Sequence, residues 1–457
     1  MTSRECSQTS LCNMTDNMIT EVTLGDMLAA REWRAEHQRE LISKYGTPVI
    51  SFTMNIAGPK KTSPLIKRAF LEGVAALDVM LAAAPKNKRE VFEKHTGYEA
   101  YFSVECDAEA IKEICVGIES ATPLGRLFDI DVIDECGEKL TRGGLRRCII
   151  CDMPGLSCAR SRAHTTEELQ LKTEEIITDY FHGCDAKHVG SRAVTALLSE
   201  VYTTPKPGLV DLNNSGSHRD MNLGSFERSA AALAPYFEEC FKIGVFTSRM
   251  SPGDTFRALR ERGLLAEREM YLATGGVNTH KGAIYSLGIL TGSVGRLWRA
   301  DTPFAECDEI LRTAGDIARD AVLSDLDAAS GKTAGERIYL EKGIRGIRGE
   351  AAEGFPSVKN IALPTLRELT SRGMTECEAG SVALLRLLPK VEDTTLYRRG
   401  GEAGALYASE YAERLTEGGR IPTAEEILKM DKDFTERNLS PGGCADLLAL
   451  TYFLFNL

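Results

Sequence analysis

Residues 202–221 read Y-T-T-P-K-P-G-L-V-D-L-N-N-S-G-S-H-R-D-M and follow an apolar, helix-like run over residues 193–201. Pro205 and Pro207 cannot continue that helix, and Gly208 allows backbone angles that other residues avoid. A dense set of acids, cations and amides surrounds these residues. Such a composition is most often a polar turn. We interpret the segment as a binding loop, because loops of similar composition recur later in the chain.

The chain after residue 191 shows the helical spacing of apolar residues, and strand patterns nearly vanish. Glycines in the intervening loops let backbone N–H groups approach phosphates, and helix N-termini add partial positive charge. The pattern predicts an all-α C-terminal domain whose inter-helix loops carry function. These loops read T-G-G-V-N-T-H-K-G (274–282), G-I-R-G-I-R-G-E-A-A-E-G-F-P (343–356), V-E-D-T-T-L-Y-R-R-G-G (391–401) and N-L-S-P-G-G-C-A-D (438–446).

The N-terminal half of the chain mixes strand and helix patterns. Residues 47–54 (T-P-V-I-S-F-T-M) and 99–105 (E-A-Y-F-S-V-E) are rich in β-branched and aromatic side chains, which indicates strands. Residues 86–94 (K-N-K-R-E-V-F-E-K) are predicted to continue a preceding helix. This alternation predicts an α+β N-terminal domain.

A basic turn follows the first predicted strand, in the segment N-I-A-G-P-K-K-T-S-P-L-I-K-R-A-F (55–70). Lys60 and Lys61 precede Ser63 and Pro64, whose order is typical of a helix start. Paired lysines beside a helix N-terminus form a plausible anion cradle. An exposed basic turn is an equally good interpretation of these residues.

Two aspartates lie in the strand-like run P-L-G-R-L-F-D-I-D-V-I-D (123–134). Side chains alternate along a strand, so Asp129 and Asp131 are predicted to share one face. Two neighbouring carboxylates repel each other unless a cation lies between them, and Mg²⁺ prefers carboxylate and phosphate oxygens. We favour a Mg²⁺ site, with Arg126 binding a phosphate, over a solvated strand edge.

The segment R-R-C-I-I-C-D-M-P-G-L-S-C-A-R-S-R-A-H (146–164) combines thiols, a histidine and arginines. Cys148, Cys151, Cys158 and His164 have the spacing C-x2-C-x6-C-x5-H, which is compatible with a structural Zn²⁺ site. The arginines of the segment could instead face a phosphate. A third interpretation is a set of reduced thiols near a basic loop.

The length of 457 residues exceeds what one ordinary core supports and predicts two domains. We place them at residues 22–181 and 190–457. The predicted linker between them covers residues 182–190.

Composition and charge exclude several classes of protein. A net charge of −11 does not favour nucleic acid or an anionic membrane as a partner. The 13 cysteines are scattered along the chain, which suits reduced thiols in a cytoplasm better than a disulfide framework. The N-terminal residues lack the apolar core of a signal peptide, and the longest apolar run, 447–455, is too short to span a bilayer. We therefore expect a cytoplasmic protein that does not bind a membrane.

Five motifs in the C-terminal half resemble the triphosphoribosyl-dephospho-CoA synthase family over residues 194–457. They are P-K-P-G-L-V-D-x-x-x-S-G-S-H-R-D-M (205–221), G-G-V-N-T-H-K-G-A-I-Y-S-L-G (275–288), R-G-E-A-A-E-G-F-P (348–356), the D-T…R-G-G segment (393–401) and N-L-S-P-G-G-x-A-D-L-L (438–448). Their shared order along the chain makes a chance match improbable.

Four further motifs in the first half resemble the citrate lyase holo-acyl-carrier-protein synthase family over residues 24–171. This family is a phosphoribosyl-dephospho-CoA transferase with an α+β, nucleotidyltransferase-like fold. The motifs are R-E-W-R-A-x-H-Q (31–38), N-I-A-G-P-x-K-x-S-P-L-I-x-R-A-F (55–70), G-R-L-F-D-I-D-V (125–132) and R-R-C-I-I-C (146–151).

The two resemblances imply a fused, multidomain enzyme that carries out two consecutive steps. The C-terminal domain would join ATP to 3'-dephospho-CoA and release adenine. The N-terminal domain would move the phosphoribosyl-dephospho-CoA unit to a Ser of the apo citrate lyase acyl carrier protein, the gamma subunit, and release pyrophosphate. ATP and 3'-dephospho-CoA are the implied substrates and Mg²⁺ the expected metal.

The candidate residues follow from this chemistry. Displacement at a sugar C1 needs a carboxylate that accepts the hydroxyl proton, together with cations for three phosphates. The second step is a phosphoryl-type transfer that depends on positioning and charge neutralisation, for which Asp129 and Asp131 would hold Mg²⁺. The candidate carboxylates of the first step are Asp211, Asp220, Glu350 and Asp393. The candidate phosphate ligands are Lys60, Lys61 and Arg126 in the first half and Lys206, His218, His280, Lys281, Arg348, Arg399 and Gly400 in the second.

Three alternatives remain open from the sequence. A helical hydrolase of nucleosides or ADP-ribose would share an acid-rich site but transfer to water. A carrier-protein scaffold would bind without turnover. The acceptor could also be a malonate decarboxylase carrier protein, since the choice of citrate lyase rests on the resemblance alone.

Overall fold

The computed structural model describes residues 21–302 and 304–457, which form two compact units that meet between Phe181 and His182. The boundary falls inside one helix, Thr166–Tyr202, so the predicted linker at residues 182–190 is helical. Residues 1–20 lie outside the described residues.

Within its described residues, the first unit contains a small sheet and five α-helices, the last of which continues into the second unit. In chain order the elements are α1 (Leu24–Tyr45), β1 (Val49–Met54), α2 (Pro64–Met80), β2 (Lys86–Lys94), β3 (Gly97–Val104), α3 (Ala108–Ala121), β4 (Phe128–Ile133), α4 (Gly155–Ser161) and α5 (Thr166–Tyr202).

The sheet is antiparallel, with the strand order β2-β3-β1-β4. Thr53 of β1 lies opposite both Glu99 of β3 and Asp129 of β4. Residues that lie directly opposite each other in an antiparallel pair point to the same face. The register therefore places a row of polar side chains, ending in Asp129, on one face of the sheet.

The other face of the sheet is apolar and packs against α2 and α3. Phe52 stacks on Phe70 with ring centroids 5.0 Å apart and meets Phe128 edge-on at 5.2 Å. These rings are almost completely buried. On the polar face, α1 contributes Trp33, whose ring meets Tyr101 edge-on at 6.1 Å. The sheet is thus held between α1 on one side and α2 and α3 on the other.

The prediction of a helix at residues 86–94 is wrong, because this segment is strand β2. It pairs along its length with β3, and its burial roughly alternates from residue to residue. Its lysines and glutamates suit an exposed edge strand. Strand pairing is a tertiary interaction, so it overrides the local helix propensity that these residues have.

The elements described in the second unit are helices, with one isolated bridge between Arg299 and Thr302. After α5 come α6 (Leu223–Ala232), α7 (Ala234–Phe246), α8 (Pro252–Thr274), α9 (Lys281–Leu297), α10 (Cys307–Asp327), α11 (Ala334–Lys342) and α12 (Gly346–Ala352). They are followed by α13 (Leu363–Ser371), α14 (Glu376–Leu387), α15 (Thr394–Thr416), α16 (Ala424–Glu436) and α17 (Gly442–Phe455).

Helix α9 lies in the core of this unit, where nearly all its residues from Ala283 to Gly295 are buried. It crosses α7 very closely, since a Cβ on Gly244 would overlap the carbonyl oxygen of Gly292 and lie 2.8 Å from the backbone nitrogen of Arg296. The backbones of α7 and α9 touch because side chains are absent at the crossing.

The chain is therefore multidomain and rich in helix, with a small antiparallel sheet in its N-terminal region, as the sequence predicts at this level. Within the described residues, no helix combines the length and apolarity needed to cross a bilayer.

We expect Gly244→Ala to lower the free energy of unfolding by about 1–3 kcal/mol, because the added methyl group forces α7 away from α9. The measurement is urea denaturation of the full-length protein, followed by far-UV circular dichroism.

Gly183→Ala is the matched control, since Gly183 lies within α5 and a Cβ there has no heavy atom within 4 Å. Alanine favours a helix over glycine, so this variant should be as stable as the parent or more stable, by up to about 1 kcal/mol. Equal destabilisation by both substitutions would contradict the close crossing of α7 and α9.

Candidate active sites

A polar cavity of about 220 Å³ in the first unit is lined by residues of α1, the polar face of the sheet and the turn after β1. Asp129 and Lys61, both predicted site residues, line this cavity. Arg34 reaches the cavity from α1 and donates a hydrogen bond of 2.8 Å to the buried Glu99. The cavity thus combines carboxylates with cations in a small volume.

Asp129 and Asp131 lie on the same face of β4, two residues apart, as alternation predicts. Each is partly exposed and paired with a cation. Asp129 meets Arg146 at 3.2 Å, and Asp131 meets Lys139 at 2.6 Å. Each carboxylate is therefore partly exposed, with one basic side chain as its partner.

Lys60 and Lys61 of the predicted anion cradle differ in their surroundings. Lys60 is exposed, whereas Lys61 is half-buried and donates a hydrogen bond to the carbonyl oxygen of Ile56. Burial lowers the pKa of Lys61 below its ordinary value. The serine predicted to cap the next helix does so, because Ser63 Oγ accepts a hydrogen bond of 3.1 Å from the backbone nitrogen of Ile66.

A larger, open cavity of about 950 Å³ in the same unit is rich in arginine. Arg126 lines it and donates hydrogen bonds to the Cys148 carbonyl oxygen at 2.8 Å and to Asp152 at 3.3 Å. Arg142 and Arg146 line it too and hold the buried carboxylate of Glu119 between them. Burial raises the pKa of Glu119, although both arginines oppose that change. This arrangement fixes guanidinium groups at the wall of a cavity that is wide enough for a phosphate-bearing ligand.

The four residues of the C-x2-C-x6-C-x5-H motif come together at the edge of this cavity. The ligand atoms of Cys148, Cys151, Cys158 and His164 all lie within 4.8 Å of one another. Their geometry is analysed below.

In the second unit, a cavity of about 240 Å³ lies where three helices begin. It is lined by the first residues of α9, α15 and α17, among them Lys281, Thr395 and Gly442. The loop at residues 202–221 closes another side with His218 and Asp220. Since each helix N-terminus carries a partial positive charge, the three starts together favour an anion in this cavity.

Two carboxylates connect these helix starts. Asp393 is buried, caps α15 through hydrogen bonds from the Thr395 and Leu396 nitrogens, and accepts a third, of 3.0 Å, from Cys444 in the first turn of α17. Asp446, which follows the first turn of α17, lines the cavity and accepts a hydrogen bond from the backbone of Ala283 in α9. The three N-termini are therefore held in one fixed arrangement.

Burial, together with the carboxylates of Glu200 and Asp393, raises the pKa of Asp446 well above its ordinary value. Burial also raises the pKa of Asp393, against the effect of its backbone hydrogen bonds. Of these two carboxylates, Asp446 lines the cavity.

His218 and Arg399 both line this cavity and form a fixed pair. Arg399 donates to His218 Nδ1 at 3.0 Å, so Nδ1 is an acceptor and Nε2 carries the ring proton that is donated to Ser440 Oγ at 2.9 Å. Burial and the Arg399 charge lower the pKa of His218 to about 4. His218 is therefore a neutral group that orients Arg399. The other partners of Arg399 are the Ser217 carbonyl and the Asn438 amide oxygen, which are uncharged.

His280 is buried at the start of α9, and burial lowers its pKa to about 3. Its Nδ1 lies 2.7 Å from Ser229 Oγ. Its Nε2 and the Oγ1 of the neighbouring Thr279 are buried without a hydrogen-bond partner among the described residues. Since an unsatisfied buried polar atom is costly, two of them at one cavity indicate a polar ligand there.

Lys206, expected as a phosphate ligand, is only 1% exposed. Its ammonium group donates hydrogen bonds to the carbonyl oxygen of Glu200, at 2.6 Å, and to the Glu200 carboxylate. Burial raises the pKa of Glu200, while Lys206 opposes this. Lys206 therefore forms a buried ion pair with Glu200, and Glu200 lines the cavity.

The remaining candidate carboxylates organise loops. Asp211 is buried and accepts hydrogen bonds from Thr204, Lys206, Asn213 and Asn214 within its own loop. Glu350 accepts two hydrogen bonds from Ser357, and burial raises its pKa.

Three further candidate phosphate ligands differ in their surroundings. Arg348 lines a neighbouring cavity of about 190 Å³. Lys281 lines both this cavity and the cavity at the three helix starts. The Lys281 ammonium pairs with Glu267 at 2.8 Å. Gly400 lies against Leu439, whose Cδ2 leaves no room for a Cβ at this position.

Sequence reasoning missed several residues that line the cavities. Asp446 and Thr279 belong to motifs already noted in the sequence. Within those motifs, only glycines and cations were considered as ligand-binding residues. Glu200 lies in an apolar helical run, where nothing in the pattern signals its role. In the first unit, Glu119 fixes the arginines, but it lies near the end of α3, outside the motifs noted in the sequence.

We expect Lys206→Met to destabilise the second unit by about 3–5 kcal/mol at pH 8, because Glu200 is left buried without its partner. A carboxyl whose pKa is raised in the folded state stabilises the fold below its unfolded pKa, and this contribution is lost as pH rises through the folded pKa. The deficit against the parent protein should therefore shrink from pH 8 to pH 5. Urea denaturation at both pH values measures it.

Two further variants isolate the pair. Glu200→Gln combined with Lys206→Met should recover much of the stability, because no buried charge remains. Lys242→Met removes a lysine that is 46% exposed and 4.0 Å from Glu238, and it should change the stability by no more than about 0.5 kcal/mol. A loss in Lys206→Met no larger than in Lys242→Met would rule out a buried ion pair.

Comparison with known families matches both parts of the chain. The family model of ATP:dephospho-CoA triphosphoribosyl transferase matches residues 186–457, and that of apo-citrate lyase phosphoribosyl-dephospho-CoA transferase matches residues 22–180.

Three curated relatives agree with these matches. "Protein CitXG" of Haemophilus influenzae is 33% identical over 96% of this chain and 97% of its own length. "Protein CitXG" of Leuconostoc mesenteroides subsp. cremoris is 32% identical over 95% and 97%. The 2-(5''-triphosphoribosyl)-3'-dephosphocoenzyme-A synthase of Klebsiella pneumoniae is 41% identical over 59% of this chain and 90% of its own length. The resemblance to both families is thus confirmed, and the chain belongs to the CitXG family, in which a phosphoribosyl-dephospho-CoA transferase is fused to a triphosphoribosyl transferase.

Proposed function

We propose that this bifunctional transferase makes the citrate lyase prosthetic group and attaches it to its carrier. The second unit joins ATP to 3'-dephospho-CoA and releases adenine. The first unit then transfers the phosphoribosyl-dephospho-CoA group to a Ser of the apo citrate lyase acyl carrier protein and releases pyrophosphate. We place both activities in the cytoplasm, with no nucleic acid or membrane as partner.

The convergence of three helix N-termini on one cavity carries the proposal for the second unit. The triphosphate of ATP bears several negative charges, and helix starts bind such groups through backbone N–H donors. Arg398 and Arg399 line the same cavity and add guanidinium groups that suit phosphate oxygens. The uncharged partners of Arg399 leave its charge available to the ligand.

The transfer itself needs a base beside the sugar. A ribose 2'-hydroxyl oxygen of dephospho-CoA attacks C1' of ATP, the bond from C1' to the adenine nitrogen breaks, and adenine leaves with the electron pair. Asp446 is our first candidate for the carboxylate that accepts the hydroxyl proton, because it lines the cavity and its raised pKa makes it a better base. Asp220 is the second candidate and the only one of the four carboxylates predicted from sequence that lines this cavity.

The neutral groups of the cavity have a different role in this proposal. His280 Nε2 and Thr279 Oγ1 provide hydrogen bonds to the uncharged parts of the substrates, adenine or ribose. The neighbouring cavity, with Arg348 and Lys281 beside aromatic and aliphatic side chains, is suited to part of the second substrate. Asp211, Glu350 and Asp393 position the loops and helix starts, and Lys206 holds Glu200.

For the first unit we propose that Asp129 and Asp131 hold Mg²⁺. Their fit rests on two partly exposed carboxylates that share one strand face and already attract cations. When bound, the ion neutralises phosphate charge. The Ser hydroxyl of the carrier attacks the phosphorus nearest the ribose, and the bond to pyrophosphate breaks. Arg126 and Arg146 at the large cavity, with Lys61 at the small one, bind the phosphates and orient this phosphorus for attack.

We also propose a nucleotidyltransferase-like fold for the α+β domain and an all-α fold for the second. The functional boundaries are residues 22–181 and 190–457.

We expect the purified protein to release adenine from ATP only when 3'-dephospho-CoA is present, because the hydroxyl of the second substrate is the nucleophile. Chromatographic quantification of adenine, with and without 3'-dephospho-CoA, measures this requirement. Equal release without 3'-dephospho-CoA would identify a hydrolase that transfers to water. Parallel reactions with apo carrier proteins of citrate lyase and of malonate decarboxylase would identify the acceptor, and we expect only the former to be modified.

Two variants, one with an isosteric and one with a truncated side chain, should separate the two activities. Asp446→Asn should lower the kcat of adenine release by about 10²-fold or more, since the side chain keeps an acceptor for Ala283 but loses its basicity. Asp129→Ala should abolish carrier modification and leave adenine release intact. Mass spectrometry of the carrier, with the triphosphoribosyl intermediate supplied, measures the second activity alone.

Asp308→Asn is the control for Asp446→Asn, because Asp308 is likewise an aspartate near the start of a helix but is 71% exposed and pairs with Lys359. It should retain full adenine release. If Asp446→Asn had the same kcat as the parent protein, Asp446 would not be the base, and Asp220 would become the candidate.

A further inference from the structure

We propose that Cys148, Cys151, Cys158 and His164 bind one Zn²⁺ ion in a closed, structural site of the first unit. The proposal goes beyond the two transferase activities, which assign no role to these side chains. It rests on the distances among the four ligand atoms, on the backbone around Cys148 and on the environment of His164.

The distances suit a tetrahedral metal site. All four ligand atoms lie within 4.8 Å of one another, and the sulfur atoms of Cys148 and Cys158 are 3.5 Å apart. A tetrahedral Zn²⁺ ion with metal–sulfur bonds of about 2.3 Å places its ligand atoms about 3.8 Å apart. A disulfide requires about 2.05 Å, and all three cysteines are free thiols. The four atoms therefore surround a space of the right size for the ion.

The backbone around the first two cysteines forms a tight turn. Cys148 donates its N–H to the Met153 carbonyl at 2.7 Å, and Gly155 donates to Arg146 at 2.8 Å. The backbone N–H of Ile150 points to the sulfur of Cys148 at 3.4 Å. A backbone donor at a sulfur stabilises its thiolate form, which is the form that binds metals.

His164 supplies the fourth ligand, just before α5. Its Nε2 is buried without a hydrogen-bond partner among the described residues. Its Nδ1 lies 4.0 Å from the carboxylate of Glu168. This distance is too long for a hydrogen bond, but it places a carboxylate on the side of the second nitrogen, as is common for metal-binding histidines. An ion bound to Nε2 would give this buried nitrogen the partner that it lacks among the described residues.

Three thiolates and one imidazole select Zn²⁺ among the common cellular divalent ions. Four protein ligands leave no open position for a substrate, so the ion has a structural role. It would connect the turn at Cys148, the short helix α4 with Cys158, and the start of α5. Arg126, which donates to the Cys148 carbonyl oxygen, is thereby fixed at the wall of the large cavity.

Metal analysis of the full-length protein tests this directly. We expect mass spectrometry of the purified protein to find about one zinc ion per chain. After removal of zinc with a chelator, added Co²⁺ should produce the thiolate charge-transfer and tetrahedral d–d absorption bands, and added Zn²⁺ should abolish them. Absence of both zinc and a Co²⁺ spectrum would overturn the proposal.

Variants locate the ion within the chain. Cys158→Ser and His164→Ala should lose the bound zinc, whereas Cys136→Ser, which changes an exposed cysteine of the same unit, should retain it. If Cys158→Ser does not fold, the cobalt titration of the parental protein still decides, because it requires no variant. Retention of zinc in both ligand variants would place the metal elsewhere and overturn the assignment.

Discussion

The burial of α9 is the constraint on which the second unit depends. A helix with little polar surface must be covered on all sides, and the glycines at its crossing with α7 allow the backbones to touch. Such a helix has unsatisfied N–H groups where it begins. In this protein that start lies at a cavity, beside the starts of α15 and α17. The same packing that forms the core therefore brings three positive helix ends together.

Carboxylates hold these ends in place, and this explains the acid-rich loops. Asp393 joins the starts of α15 and α17, and Asp446 joins those of α17 and α9. Burial raises the pKa values of both groups, so the contacts that stabilise the fold also raise the pKa of Asp446, which lines the cavity. In such a site, one carboxylate can both position a helix and accept a proton.

Periodicity and motifs predicted the helices of the second unit and the shared face of Asp129 and Asp131, because both follow from local geometry. The strand at residues 86–94 could not be predicted from local sequence, because its conformation depends on pairing with β3. Lys206 carries the charge expected of a phosphate ligand, but its burial against Glu200 depends on the tertiary fold. Asp446 was overlooked because its motif is dominated by glycines, and only the fold shows which of its residues faces the cavity.

The cavities of the two units carry positive charge in different ways. The large cavity of the first unit is lined by arginine side chains, which Glu119 and the Cys148 turn hold in place. The second unit relies on helix starts, whose charge comes from backbone dipoles that are fixed once the core is packed. A side-chain cluster needs its own supports to remain ordered, whereas helix ends need only the helices. The first unit, with its small sheet, therefore has the greater need of an additional cross-link beside its arginines.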